Sequence, residues 1–167
     1  FRESDIAYGG QGAPLVCFAD DRWWGKYKNE NGSPLNFAIQ NIGGISNVTV
    51  VSQDCDTFGF DNGCGNIMID YCVQKFFGKK YDKNGEIALE GKICENWLDC
   101  LLQDEYYFLE PPKTTGREYF STKYIENILK FAPEDPKDVI ATLTALTAKT
   151  IAQSYERFIY PQVGIDT

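Results

Sequence analysis

Two apolar runs, Phe37–Ile42 and Ile45–Val51, are separated only by Gly43-Gly44. Their Val, Ile and Phe content suits strands, and a two-residue gap between such runs predicts a tight hairpin. The rest of the chain is read around it. Gly43 and Gly44 lack a Cβ, so they can take positive φ and let another group approach the backbone closely. A second glycine cluster follows, with Gly59, Gly63 and Gly65 surrounding Asp61. It reads as a sharply bending loop with an accessible carboxylate, a place for a reactive acid or base. Each feature alone has a plainer explanation. Gly-Gly between strands is most often a turn, and Asp in a glycine-rich loop usually bonds nearby backbone N–H groups. No G-x-x-x-x-G-K-[ST] occurs, so a P-loop nucleotide site is not supported.

Helical patterns dominate after the hairpin. From Asn66 the spacing of Ile67, Met68, Tyr71, Cys72 and Phe76 predicts a helix that ends at Gly78. Asp70 falls in its first turn, where the helix dipole favours negative charge. Glu86–Leu102 reads as helical, interrupted near Gly91. Pro111-Pro112 stops regular structure, and Lys113–Glu118 follows as a polar stretch. Tyr124–Phe131 reads as a short amphipathic helix. Asp135-Pro136 opens the last helix as N-cap and first helical residue. Its apolar face runs through Val139, Leu143 and Leu146, and Pro161 ends it. Ahead of the hairpin, Asp20–Ser33 reads as a turn between strands, with Trp23 and Trp24 packed at its base. Strands first and helices afterwards predict an α/β class, with α+β as the alternative, and no boundary divides residues 1–167.

The charge balance narrows the partners. Lys plus Arg is 16 and Asp plus Glu is 24, a formal charge of −8. An acidic chain without a basic patch argues against nucleic acid or an anionic membrane. No apolar run approaches the length of a membrane span. The six cysteines form no C-x-x-C pair and histidine is absent, so no structural zinc site is expected and no metal ligand is assigned. Free, reduced thiols and a cytoplasmic location are the expectation.

The run NIGGISN followed by GFDNGCGN resembles the middle of the anhydro-N-acetylmuramic acid kinases. GGQGAPL (Gly9–Leu15), GKKYDKNG (Gly78–Gly85), PPKTTGREYF (Pro111–Phe120) and ATLTALTAKTIA (Ala141–Ala152) match the same family in the same order. The resemblance implies an actin-like, hexokinase-like ATPase fold, here one lobe plus part of the sugar-binding region of a longer, bilobed kinase. The family's upstream phosphate loop, GTMSGTSLDG, and its downstream adenosine loop do not occur in these residues, so a central fragment is expected.

The implied reaction uses ATP, with Mg²⁺, to open the anhydro bridge of anhydro-N-acetylmuramic acid. Water adds at the anomeric carbon and the freed hydroxyl takes the phosphoryl group, giving N-acetylmuramic acid 6-phosphate for cell-wall recycling. The resemblance implies that Asp61 is the catalytic base. It puts Asn41, Gly43 and Gly44 on the nucleotide phosphates. It assigns Gly12, Asn66, Lys113, Arg117 and Glu118 to the sugar, with Gly9 and Gly10 close by. It leaves a homodimer open. The usual Asp-Thr-Gly-Pro-Gly-Asn is here Asp61-Asn62-Gly63-Cys64-Gly65-Asn66, so a looser loop is expected around the base. Two other classes stay open: a non-catalytic sugar-binding module, and a glycosidase pairing Asp61 with Asp70 or Glu118.

Overall fold

The computed structural model describes residues 16–164. Strands β1 (Phe37–Ile42) and β2 (Ile45–Val51) form the expected hairpin, with Phe37 opposite Val51 and Ile42 opposite Ser46. Neither glycine of its turn adopts positive φ.

A third strand, β3 (Phe58–Cys64), pairs antiparallel with β2, giving the order β1-β2-β3. The loop expected around Asp61 is therefore a strand, and Asp61 is 5 % exposed rather than accessible. Period-two burial explains the difference. Phe58 and Phe60 stack on one face and pack with Val48, Val50, Ile159 and Val163. That apolar face outweighs the weak strand preference of the intervening glycines. Pairing steps from Ser46–Gly63 to Asn47–Asp61, leaving Asn62 as the extra residue of a bulge. Bulges re-aim side chains next to functional sites. The bulge is tight, not loose. Asn62 is fully buried, and its Oδ1 accepts from Gln40 Nε2 at 2.9 Å and Ser46 Oγ at 3.0 Å. The next residue, Gly63, has φ 141°, and a Cβ there would lie 2.6 Å from the Tyr107 ring.

Helix α1 (Cys17–Trp24) stands where the sequence suggested a turn. No residue of it is buried, so it carries no apolar stripe that could have announced it. Trp24 packs on Tyr27 and Phe37, and the helix lies against β2. Trp23 is exposed.

Beyond β3 the chain enters α2 (Ile67–Phe77), capped by Gly78 as read. The junction is sewn to the hairpin turn. Asn66 N–H donates to Gly43 O at 2.7 Å, Gly65 N–H to Gly44 O at 3.0 Å, and Ile67 N–H to Gly44 O at 3.2 Å. A Cβ on Gly65 would sit 2.1 Å from Gly43 O, so only glycine allows this approach. The expected break at Gly91 separates α3 (Glu86–Glu90) from α4 (Glu95–Leu101). A 3₁₀ turn, Glu105–Phe108, and α5 (Thr122–Ile128) follow.

The last α-helix, α6 (Pro136–Ser154), starts as read, with the Asp135 carboxylate accepting from Lys137 N–H. It buries Val139, Ile140, Leu143, Leu146 and Thr147 against α2, α3, α4 and β3. Met68, Cys72, Leu98, Phe120 and Ile125 complete that core. A π-helical turn, Tyr155–Ile159, then carries Phe158 and Ile159 onto the aromatic face of β3. The architecture is α/β, with one three-stranded antiparallel sheet and six α-helices among the described residues. None of these helices is long and apolar enough to cross a membrane. All six cysteines are free thiols.

Candidate active site

Asp61 lies at the centre of a closed hydrogen-bond circuit between β3 and residues 113–115. Its N–H donates to Lys113 O at 3.1 Å. Its carbonyl accepts from the Tyr106 hydroxyl at 2.8 Å. Its carboxylate Oδ2 accepts from Thr114 Oγ1 and from Thr115 N–H, each at 2.8 Å. Charge-assisted bonds of this length fix a carboxylate's orientation. A carboxylate held this way is preorganised for proton transfer, given a substrate within reach.

The hairpin turn provides a second element. Gly43 and Gly44 carbonyls are turned inward and engaged by the β3–α2 junction. Among the described residues the Gly44 N–H meets no acceptor, and Gly44 lines a cavity of about 380 Å³. Ile67, Asp70, Tyr71, Arg117 and Phe120 line the same cavity. Burial raises the Asp70 carboxyl above its ordinary range, with Lys80 opposing. The cavity thus pairs a carboxylate and an exposed guanidinium with a hairpin N–H, a set suited to a polar ligand bearing an anionic group. Asp61 is not among its lining residues.

The remaining expected residues fall in different places. Asn41 is exposed at the end of β1, opposite Asn47. Asn66 is exposed at the start of α2 and lines a neighbouring hollow with Asp70, Tyr81 and Asp82. Glu118 is exposed, its carboxylate folded back over Gly116. Gly9, Gly10 and Gly12 lie outside the described residues. Lys113 and Arg117 do not share a surface. Arg117 is exposed, whereas Lys113 is 4 % exposed and its ammonium donates to Tyr106 O at 3.2 Å. The rings of Tyr106, Phe158 and Phe60 surround that ammonium at 4.9, 5.0 and 5.9 Å. Among the described residues no three acidic or cysteine side chains converge as a metal cluster.

Thr114, Thr115 and Tyr106 are not among the residues the sequence points to, although KTTGRE stands out for its charges. Only the pairing of β3 with residues 113–115 brings them to Asp61, and no spacing rule reports that pairing.

A three-stranded hairpin sheet, a cavity beside its first turn and a buried, oriented carboxylate define an α/β protein with a candidate ligand site. The family described as anhydro-N-acetylmuramic acid kinase matches residues 1–162, and the chain belongs to that family. Among similar proteins, the anhydro-N-acetylmuramic acid kinase of Clostridioides difficile (strain 630) is 46 % identical over 100 % of this chain and 43 % of its own length. That of Caldanaerobacter subterraneus subsp. tengcongensis is 44 % identical over 99 % of this chain and 42 % of its own. That of Bacillus cereus (strain 03BB102) is 39 % identical over 99 % and 43 %. The chain therefore spans less than half the length of these curated relatives.

Proposed function

We propose that the protein containing this chain is an ATP-dependent kinase that opens 1,6-anhydro-N-acetylmuramic acid with water and phosphorylates the freed hydroxyl. The product is N-acetylmuramic acid 6-phosphate, and the role is cell-wall recycling in the cytoplasm. Residues 1–167 form the central part of an actin-like, bilobed enzyme. Family membership supports the substrate class. The observation that carries the mechanism is the circuit of four bonds that described residues make with Asp61, which orients one carboxylate through its backbone and side chain together.

In this reading Asp61 accepts a proton from the attacking water, and Thr114 and Thr115 hold it in line. Gly44 N–H, with Gly43 and Asn41 beside it, donates to phosphate oxygens, as backbone N–H groups in turns do. Arg117 grips the lactyl carboxylate of the sugar through paired hydrogen bonds, with Glu118, Asn66 and Gly12 on the same ligand. Mg²⁺ keeps several waters and nucleotide oxygens, so it asks for only one or two protein carboxylates, and none here is assigned to it.

The test is Asp61→Asn in the full-length protein. Turnover falls roughly 10²–10⁴-fold while the denaturation midpoint stays near wild type. Near-normal turnover would remove Asp61 from the role of base.

A further inference from the structure

Lys113 is a buried cation that the proposed chemistry does not use. Among the described residues no carboxylate pairs with it; the three ion pairs found there involve Lys75, Lys137 and Lys149. Its ammonium has one carbonyl, Tyr106 O, and an aromatic enclosure of Tyr106, Phe158 and Phe60. A buried cation without a counter-ion is costly, and facing aromatic rings recover part of that cost. Burial, with Arg157 adding repulsion, lowers the Lys113 amine to about 8. A methionine of similar length would fill the enclosure without a charge to desolvate. Stability alone therefore does not account for a lysine here.

The bonds around it suggest another reason. Lys113 Nζ holds Tyr106 O, the Tyr106 hydroxyl holds Asp61 O, and Asp61 N–H holds Lys113 O. These three links form a loop through Tyr106, Asp61 and Lys113. The two residues after Lys113 are the ones that grip the Asp61 carboxylate. We infer that Lys113 is a positioning residue: its ammonium latches residues 113–115 onto Tyr106 and thereby sets the orientation of the Asp61 carboxylate. Lys113 touches no reacting atom in this account; it acts through Asp61, and the inference rests on Asp61 being the base.

Lys113→Met in the full-length protein separates positioning from packing. Turnover is expected to fall about tenfold to a hundredfold, the loss that a misplaced catalytic group brings. KM for ATP changes less than threefold. The urea midpoint stays level or rises, because the buried charge is gone. Amide hydrogen exchange at Asp61 and Thr115 speeds at least tenfold, while α2 is unchanged. In the double variant with Asp61→Asn, turnover is no lower than in Asp61→Asn alone, since groups acting as one unit are not additive. Turnover within twofold of wild type overturns the latch. So does a fallen midpoint or failure to fold, which makes Lys113 a packing residue, and so does a loss that multiplies onto that of Asp61→Asn. Should Asp61→Asn alone keep its turnover, the base assignment fails. The exchange rates at Asp61 and Thr115 then still decide whether Lys113 holds the segment.

Discussion

Among the described residues, Asp61 accepts hydrogen bonds from Tyr106, Thr114 and Thr115 and donates its N–H to Lys113 O, so four bonds meet at a single buried residue. Around the Gly44 cavity, Arg117 is exposed and its charge is held by no ion pair among the described residues. The first region is ordered by the fold before any ligand arrives. The second gains its order from the ligand, because exposed long side chains keep their rotamer freedom until a partner removes it. A reaction that needs a base in one orientation and a sugar that must enter and leave is served by that division. It also predicts that mutations in the two regions divide: the clamp answers in turnover, the cavity in affinity.

The largest expected effect on stability joins the regions. Gly65 is the close-approach residue between the hairpin turn and the start of α2. Gly65→Ala places a methyl group against the Gly43 carbonyl, and backbone must move on both sides. About 3 kcal/mol of stability is lost, at the upper end for overpacking. Urea denaturation monitored by tryptophan fluorescence measures it. A loss under 0.5 kcal/mol would mean that the turn and the helix start are independently placed, and the two regions would no longer share a frame.

How much of this was legible beforehand differs by region. The hairpin bounds, the helix ending at Gly78, the break at Gly91 and the Asp135-Pro136 start were all readable, because each depends on near neighbours in sequence. Helix α1 was not, since its partner is a sheet and its own pattern has no apolar stripe. β3 reads as a loop when its glycines are weighed above the Phe58–Phe60 alternation that places it in the sheet. Asp61 stands out in the sequence, but the donors to its carboxylate lie more than fifty residues away, and register between distant segments leaves no local mark. Lys113 shows the same limit: a lysine four residues from an arginine reads as a charged surface until the rings that enclose it are in place.

A smaller effect on stability comes from pH. The Lys113 amine titrates at about 8 in the folded protein against 10.5 when free. Below about 8 both states carry the proton, and the burial penalty is fully present. Between about 8 and 10.5 the unfolded chain binds the proton that the folded chain has released, so stability rises with pH. The full gain is on the order of 3 kcal/mol, and only about half of it accrues by pH 9.5. Cys64 and Cys72 act oppositely, because burial keeps their thiols protonated in the fold, Cys72 up to about 12. Unfolded thiols ionise near 9, so those two lower stability as pH rises. The Lys113 contribution is therefore read as the difference between wild type and Lys113→Met, in urea midpoints from pH 7 to 9.5. The gap closes as pH rises. Parallel curves would show an amine in ordinary contact with water.

Arg117→Lys gives the smallest change in stability and sharpens the comparison most. The guanidinium is exposed, so folding stability should move by less than about 0.5 kcal/mol. Charge is conserved, and the field over the cavity is nearly the same. What disappears is the planar fork, which meets a carboxylate through two parallel bonds where an ammonium offers a point charge. Calorimetric titration of the full-length protein with the anhydro sugar should show affinity weakened by about 1.5–3 kcal/mol, the range for hydrogen bonds to charged groups. ATP affinity should hold, because the hairpin N–H is untouched. Equal sugar affinity in the two proteins would return Arg117 to the solvated surface. The carboxylate partner would then have to come from elsewhere in the longer protein. A stability loss above 1 kcal/mol would instead show that the cavity is built by the fold as the clamp is, and the contrast between the two regions would collapse.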